Sequence, residues 1–116
     1  MEQALRIPPK SAETALPAPV RDRLARIAWL TARAHGVRLD DVLEGRDPAA
    51  APARSIAIAL CHDLLKTEPR ALARHFSTSE NAVLDACRGT AERAAQDREF
   101  HTTLNFLKTR CGGVLR

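Results

Sequence analysis

The stretch Thr67-Glu68-Pro69-Arg70-Ala71-Leu72-Ala73-Arg74-His75-Phe76-Ser77-Thr78-Ser79-Glu80-Asn81-Ala82-Val83-Leu84-Asp85-Ala86-Cys87-Arg88 decides the reading of this chain. Thr67 is a good N-cap, and Pro69 is tolerated in a first helical turn. A helix of about two turns follows to Phe76, with Ala71, Leu72 and Phe76 inward and His75 at the edge. Ser77 and Thr78 form a tight polar turn. Ser77 with Glu80 has capping-box spacing, and Ser79 is an alternative cap. A longer helix from about Ser79 to Gln96 turns Val83, Ala86, Cys87, Thr90 and Ala94 inward. Short helix, polar turn and long helix opened by small polar residues make the pattern of a helix-turn-helix. In such motifs the first turn of the second helix enters the major groove of DNA.

The flanking segments read as further helices. Residues 20–35 carry Val20, Leu24, Ile27, Ala28, Leu30 and Thr31 at three- and four-residue steps, with Arg21, Arg23, Arg26 and Arg33 around the other face. Trp29 is expected as a core or edge anchor, and Gly36 as a C-cap. A short helix at 39–44 begins with Asp40 and Asp41, which suit its dipole. Residues 46–53 read as a linker. Arg54 to Lys66 form a helix with so wide an apolar arc that a central, buried position follows. Asp97 caps a last helix with Phe100, Leu104 and Leu107 on one face and Phe106 beside it; Gly112 and Gly113 are expected to end it. Residues 1–19, with Pro8, Pro9, Pro17 and Pro19, read as a flexible arm carrying Arg6 and Lys10. Residues 20–116 are then the folded domain, an all-α bundle of about six helices.

Several runs resemble the C-terminal DNA-binding domain of the bacterial replication initiator DnaA. Val37-Arg38-Leu39-Asp40-Asp41-Val42-Leu43 resembles that family's Val/Ile-x-x-x-Asp-Leu-Leu helix. Ala53-Arg54-Ser55-Ile56-Ala57-Ile58-Ala59-Leu60 resembles its Pro-Arg-Gln-x-Ala-Met-Ala-Leu run. Leu72-Ala73-Arg74-His75-Phe76 matches Ile-Gly-x-x-Phe, and Val83-Leu84-Asp85-Ala86-Cys87-Arg88 resembles Val-x-x-Ala-x-Arg/Lys of the recognition helix. The segment lengths agree from Arg54 to Phe76, and the resemblance covers Val37 to Arg110. It implies a helix-turn-helix core similar to that of the Trp repressor, and binding of double-stranded DNA in the regulation of replication or transcription.

The departures bear on what is read. The family signature Gly-Gly-Arg-Asp-His-Thr-Thr-Val is replaced by Ser77-Thr78-Ser79-Glu80-Asn81-Ala82-Val83, one residue shorter. Ser79, Glu80 and Asn81 stand where Asp, His and Thr read bases. The family's minor-groove arginine falls on Pro52; the second arginine of that motif is kept as Arg54. Asn81 suits adenine N6 and N7, and Glu80 suits cytosine N4. Arg54, Lys66, Arg70 and Arg74 are candidate phosphate contacts on the flanks, with Arg88 farther along the second helix and Ser77 and Thr78 in the turn.

The bulk properties agree with this reading without carrying it. The chain has 116 residues, 21 of them alanine and 3% aromatic, which favours helix over sheet. No Gly-x-x-x-x-Gly-Lys-Ser/Thr loop occurs, so the initiator's ATPase chemistry is not expected. Net charge is +4, a mild bias towards nucleic acid. From Arg54 to Arg93 six basic residues face five acidic ones, so affinity is expected to be modest. Three cysteines at wide spacing, with no signal peptide, point to reduced thiols in the cytoplasm. Cys87 and Cys61 are expected in or beside the core and Cys111 exposed. His35, His62, His75 and His101 share no ligand spacing, no Cys-x-x-Cys occurs and no apolar run spans a membrane, so no metal, cofactor, enzymatic activity or membrane partner is expected. The competing expectation is a protein-interaction adaptor that kept the fold and lost DNA readout. The oligomeric state is not legible.

Overall fold

The computed structural model describes residues 18–114. The expected arm therefore lies outside the described residues, apart from Ala18 and Pro19. Six α-helices follow in order: α1 Ala18–His35, α2 Leu39–Glu44, α3 Ala51–Leu65, α4 Pro69–His75, α5 Glu80–Gln96 and α6 Arg98–Val114, with a 3-10 turn at Pro48–Ala50 before α3. No strand occurs among these residues. The fold is an all-α bundle, as expected.

Helix α3 is its axis and packs against each of the other five. Ala53, Ile56, Ala57, Ile58, Ala59, Leu60 and Cys61 are all buried. A helix apolar on nearly every side must be covered on nearly every side, and its alanines let neighbours approach closely. Leu24, Ile27 and Ala28 of α1, Val42 of α2, Leu72 of α4, Val83 of α5 and Leu104 and Leu107 of α6 close around it, with Phe76 wholly enclosed. Thr31, buried on α1, satisfies its hydroxyl by donating to the Ile27 carbonyl at 2.8 Å.

Five local expectations are corrected. Residues 46–53 are not a linker: Asp47 Oδ1 accepts from the Ala49 amide at 3.0 Å, starting the 3-10 turn, and α3 begins at Ala51 with Pro52 in its first turn. Proline there has no amide that the helix would use. Thr67 is not the cap of α4. Pro69 takes the first helical position, which makes Glu68 the N-cap, and Thr67 is buried with no partner for its hydroxyl among the described residues. Trp29 is 44% exposed, because it lies opposite the Leu24–Ile27–Ala28–Thr31 stripe; the Arg33 guanidinium covers its ring at 5.0 Å. Gly112 and Gly113 do not end α6, which runs to Val114. Cys111 thereby stays in register with Leu104 and Leu107 and is fully buried. Asp97 does cap α6, accepting the Phe100 amide at 3.1 Å.

Candidate nucleic-acid interface

The connection between α4 and α5 builds the site. The Ser77 amide donates to the Arg74 carbonyl at 3.3 Å, and the Thr78 amide to the Ala73 carbonyl at 2.8 Å. That pair of bonds is a Schellman motif, which places its C′ residue in the left-handed region. Ser77 occupies that position at φ 53°. The chain then extends at Ser79, whose Oγ accepts from the Ala82 amide at 3.1 Å. Ser79 is therefore the cap, and the Ser77–Glu80 capping box does not form. Among the described residues the Glu80 and Asn81 amides have no protein acceptor, so the positive end of a 17-residue helix faces outward here.

Side chains sort cleanly along α5. Val83 and Thr90 are buried, with Ala86, Cys87 and Ala94 half-buried behind them. Ser79, Glu80, Asn81, Leu84, Asp85 and Arg88 are exposed together with Ser77, and Thr78 is half-buried. Arg70 and Arg74 stand one turn apart on the exposed side of α4, and Lys66 is exposed at the end of α3 in a left-handed cap at φ 53°. Arg88 is paired with Asp85 one turn back. That pair takes up part of the charge a phosphate would use.

Arg54 has a different position from the one expected. Its half-buried guanidinium turns onto backbone carbonyls. Nη1 donates to the carbonyls of Val42 and Leu43, both at 2.8 Å, and Nη2 donates to the carbonyl of Phe76. Burial lowers its pKa from the usual value.

Two features of this face went unread in the sequence. The chain between α2 and α3 folds against the start of α5 and leaves a cleft of about 280 Å³, lined by Arg46, Asp47, Arg54, Ser55, Thr78 and Ala82. Arg46 has an 81% exposed side chain held 3.4 Å from Glu44. Taking 46–53 for a linker hid it. Arg21 of α1 lies close enough to His75 to depress that histidine's pKa, after the larger effect of burial. Its place near the end of α4 depends on how α1 crosses the bundle, which no local pattern contains.

These helices and this turn define a helix-turn-helix bundle. The same fold is present in a solved DNA replication initiation factor, which superposes with a TM-score of 0.74 at 24% identity over 92% of this chain. The chain spans 32% of the length of that structure. No family model matches the sequence, and no curated protein matches it significantly. The fold implied by the resemblance to the initiator's C-terminal domain is thus the fold observed. No helix among the described residues is long and apolar enough to cross a membrane.

Proposed function

We propose that this chain is a double-stranded DNA-binding module that reads sequence with the first turn of α5 and acts by occupancy, without a catalytic step. The observation that carries the reading is the uncovered start of α5. Ser79, Glu80 and Asn81 project from it, two amides there lack acceptors among the described residues, and the turn before it is locked by backbone hydrogen bonds. Asn81 is the adenine-reading side chain and Glu80 the cytosine-reading one. Lys66, Arg70 and Arg74 hold the flanking phosphates, while Arg88 becomes available when Asp85 releases it. The likeness to a replication initiation factor favours regulation of replication over transcription.

The test is fluorescence-polarisation binding to random duplex DNA, followed by selection of preferred sites. With three phosphate contacts, log K should fall with log salt at a slope of about −2.7. Arg70→Ala should weaken all duplexes alike and flatten that slope by about 0.9, while Asn81→Ala should change the sequence preference. Absence of duplex binding at roughly 50 mM salt, where phosphate contacts are strongest, would sink the proposal.

A second reading has its own support. Leu84 is 46% exposed on the outer face of α5, beside the self-neutralised Asp85–Arg88 pair. An apolar residue next to a neutral pair suits a protein adaptor better than a phosphate backbone. That reading gains if duplex binding fails and Leu84→Asp abolishes a nuclease-resistant complex.

A further inference from the structure

We propose that Arg54 is a positioning residue for the α5 reading turn: it braces the end of α2 against the turn between α4 and α5 and so sets where Ser79–Asn81 stand. The inference rests on the DNA-binding reading above for its functional consequence, though not for its geometry. It also assigns to Arg54 a role other than the phosphate contact that its sequence position implies.

The last carbonyls of a helix lack amide partners within the helix, and its C-terminus carries partial negative charge. Arg54 meets that need for two helices at once. Val42 and Leu43 belong to the last turn of α2, and one Nη1 serves both at 2.8 Å. Phe76 is the C-cap of α4, and Nη2 of the same fork serves it. The planar guanidinium fixes the direction between its two nitrogens, so the two helix ends are held at a set spacing. An ammonium is a single point and cannot span both.

Gly45 completes the brace. It lies at φ +71°, and a Cβ there would sit 2.8 Å from Arg54 Cζ and 2.9 Å from Nε. A Cβ at this position would push the guanidinium off the place from which it reaches its carbonyls. Gly36 supplies the contrast within the same molecule: it has φ +67° and nothing within 4 Å of a Cβ. The backbone requirement is shared, and the crowding belongs to Gly45 alone. From Arg54 the constraint passes through Phe76, which is fully buried and lies with its ring 6.0 Å from the guanidinium carbon, directly into Ser77.

The experiment uses the full chain, its preferred duplex and a scrambled duplex, with the variants Arg54→Lys, Arg54→Met, Gly45→Ala and the control Gly36→Ala. A brace predicts that Arg54→Lys fails to rescue. Arg54→Lys, Arg54→Met and Gly45→Ala should each cut the preferred-to-scrambled affinity ratio by about tenfold, the range of one lost base contact. Scrambled-duplex affinity and its salt slope should stay as in the wild type, and Gly36→Ala should keep the full ratio. If Arg54→Lys behaves as wild type, or if Arg54→Met lowers both affinities equally and the slope by about 0.9, Arg54 is a phosphate ligand and the brace is overturned. If the wild type binds no duplex, the DNA reading itself falls. The brace is then judged by urea unfolding of Gly45→Ala, Arg54→Lys and the double variant: non-additive losses support it, and additive losses overturn it.

Discussion

The Thr78 amide donates to the Ala73 carbonyl at 2.8 Å, closing the end of α4 over a residue that is not glycine. α1 ends in the same way, with the Val37 amide on the Ala32 carbonyl at 3.0 Å and Gly36 beneath it. The two motifs differ in their C′ residue, Gly36 at φ 67° and Ser77 at φ 53°. Left-handed backbone costs a residue with a Cβ about 1–2 kcal/mol, so the proposed reading turn holds strain that α1 avoids.

Ser77→Gly should remove that strain. Set against the extra unfolded-state freedom of glycine, the net gain is about 0.5–1 kcal/mol. The expected readout is a melting temperature higher by about 2–6 °C. A lower value would mean that the Ser77 side chain makes a stabilising interaction that its exposure gives no sign of.

The cap on α5 is a separate contribution. Ser79→Ala removes the acceptor of the Ala82 amide and should cost about 1 kcal/mol in urea unfolding. Asp97→Ala should cost a similar amount through the Phe100 amide. Glu80→Gln should cost about 0.3–1 kcal/mol, through the carboxylate charge lost from the positive end of α5 and not through a capping box.

The three thiols should separate by burial. Cys61 and Cys111 are enclosed, and burial pushes the Cys61 thiol up and the Cys111 thiol up to about 11; Cys87 is only half-buried. A thiol titration with an aromatic disulfide should label Cys87 first in the native protein. The other two should react only on unfolding. An acid whose folded pKa is raised holds its proton longer in the folded state. Stability from Cys111 is therefore complete below about pH 9 and declines as pH rises from there towards 11. Cys111→Ala should flatten that alkaline decline, read from unfolding midpoints.

His75 acts at the opposite end of the pH scale. Its Nε2 is buried without a partner among the described residues, and burial, then Arg21, lowers its pKa from 6.5. Below about pH 6.5 the unfolded chain binds a proton that the folded chain resists, so stability falls on acidification through that window. Unfolding midpoints at about pH 5 and pH 7.5 should show a smaller acid loss for His75→Gln than for the wild type. Arg21→Gln should recover part of the loss. Equal acid sensitivity in all three would exclude His75 as the source.

The sequence by itself determined the helices, because a helix is local. The 3.6-residue period of Leu24, Ile27 and Thr31, the short step from Pro69 to Phe76 and the apolar arc of α3 needed no distant partner to be read. The exposed row Ser79, Glu80 and Asn81 followed from the same period, since a buried Val83 fixes which side of α5 faces out. Tertiary structure alone decided where Arg54 goes. Its partners Val42, Leu43 and Phe76 lie 12, 11 and 22 residues away, and orphan carbonyls at two helix ends become a guanidinium site only when packing brings them together. The burial of Cys111 and the approach of Arg21 to His75 have the same origin. Each depends on how helices cross, a long-range outcome of close packing around α3 that no window of local sequence contains.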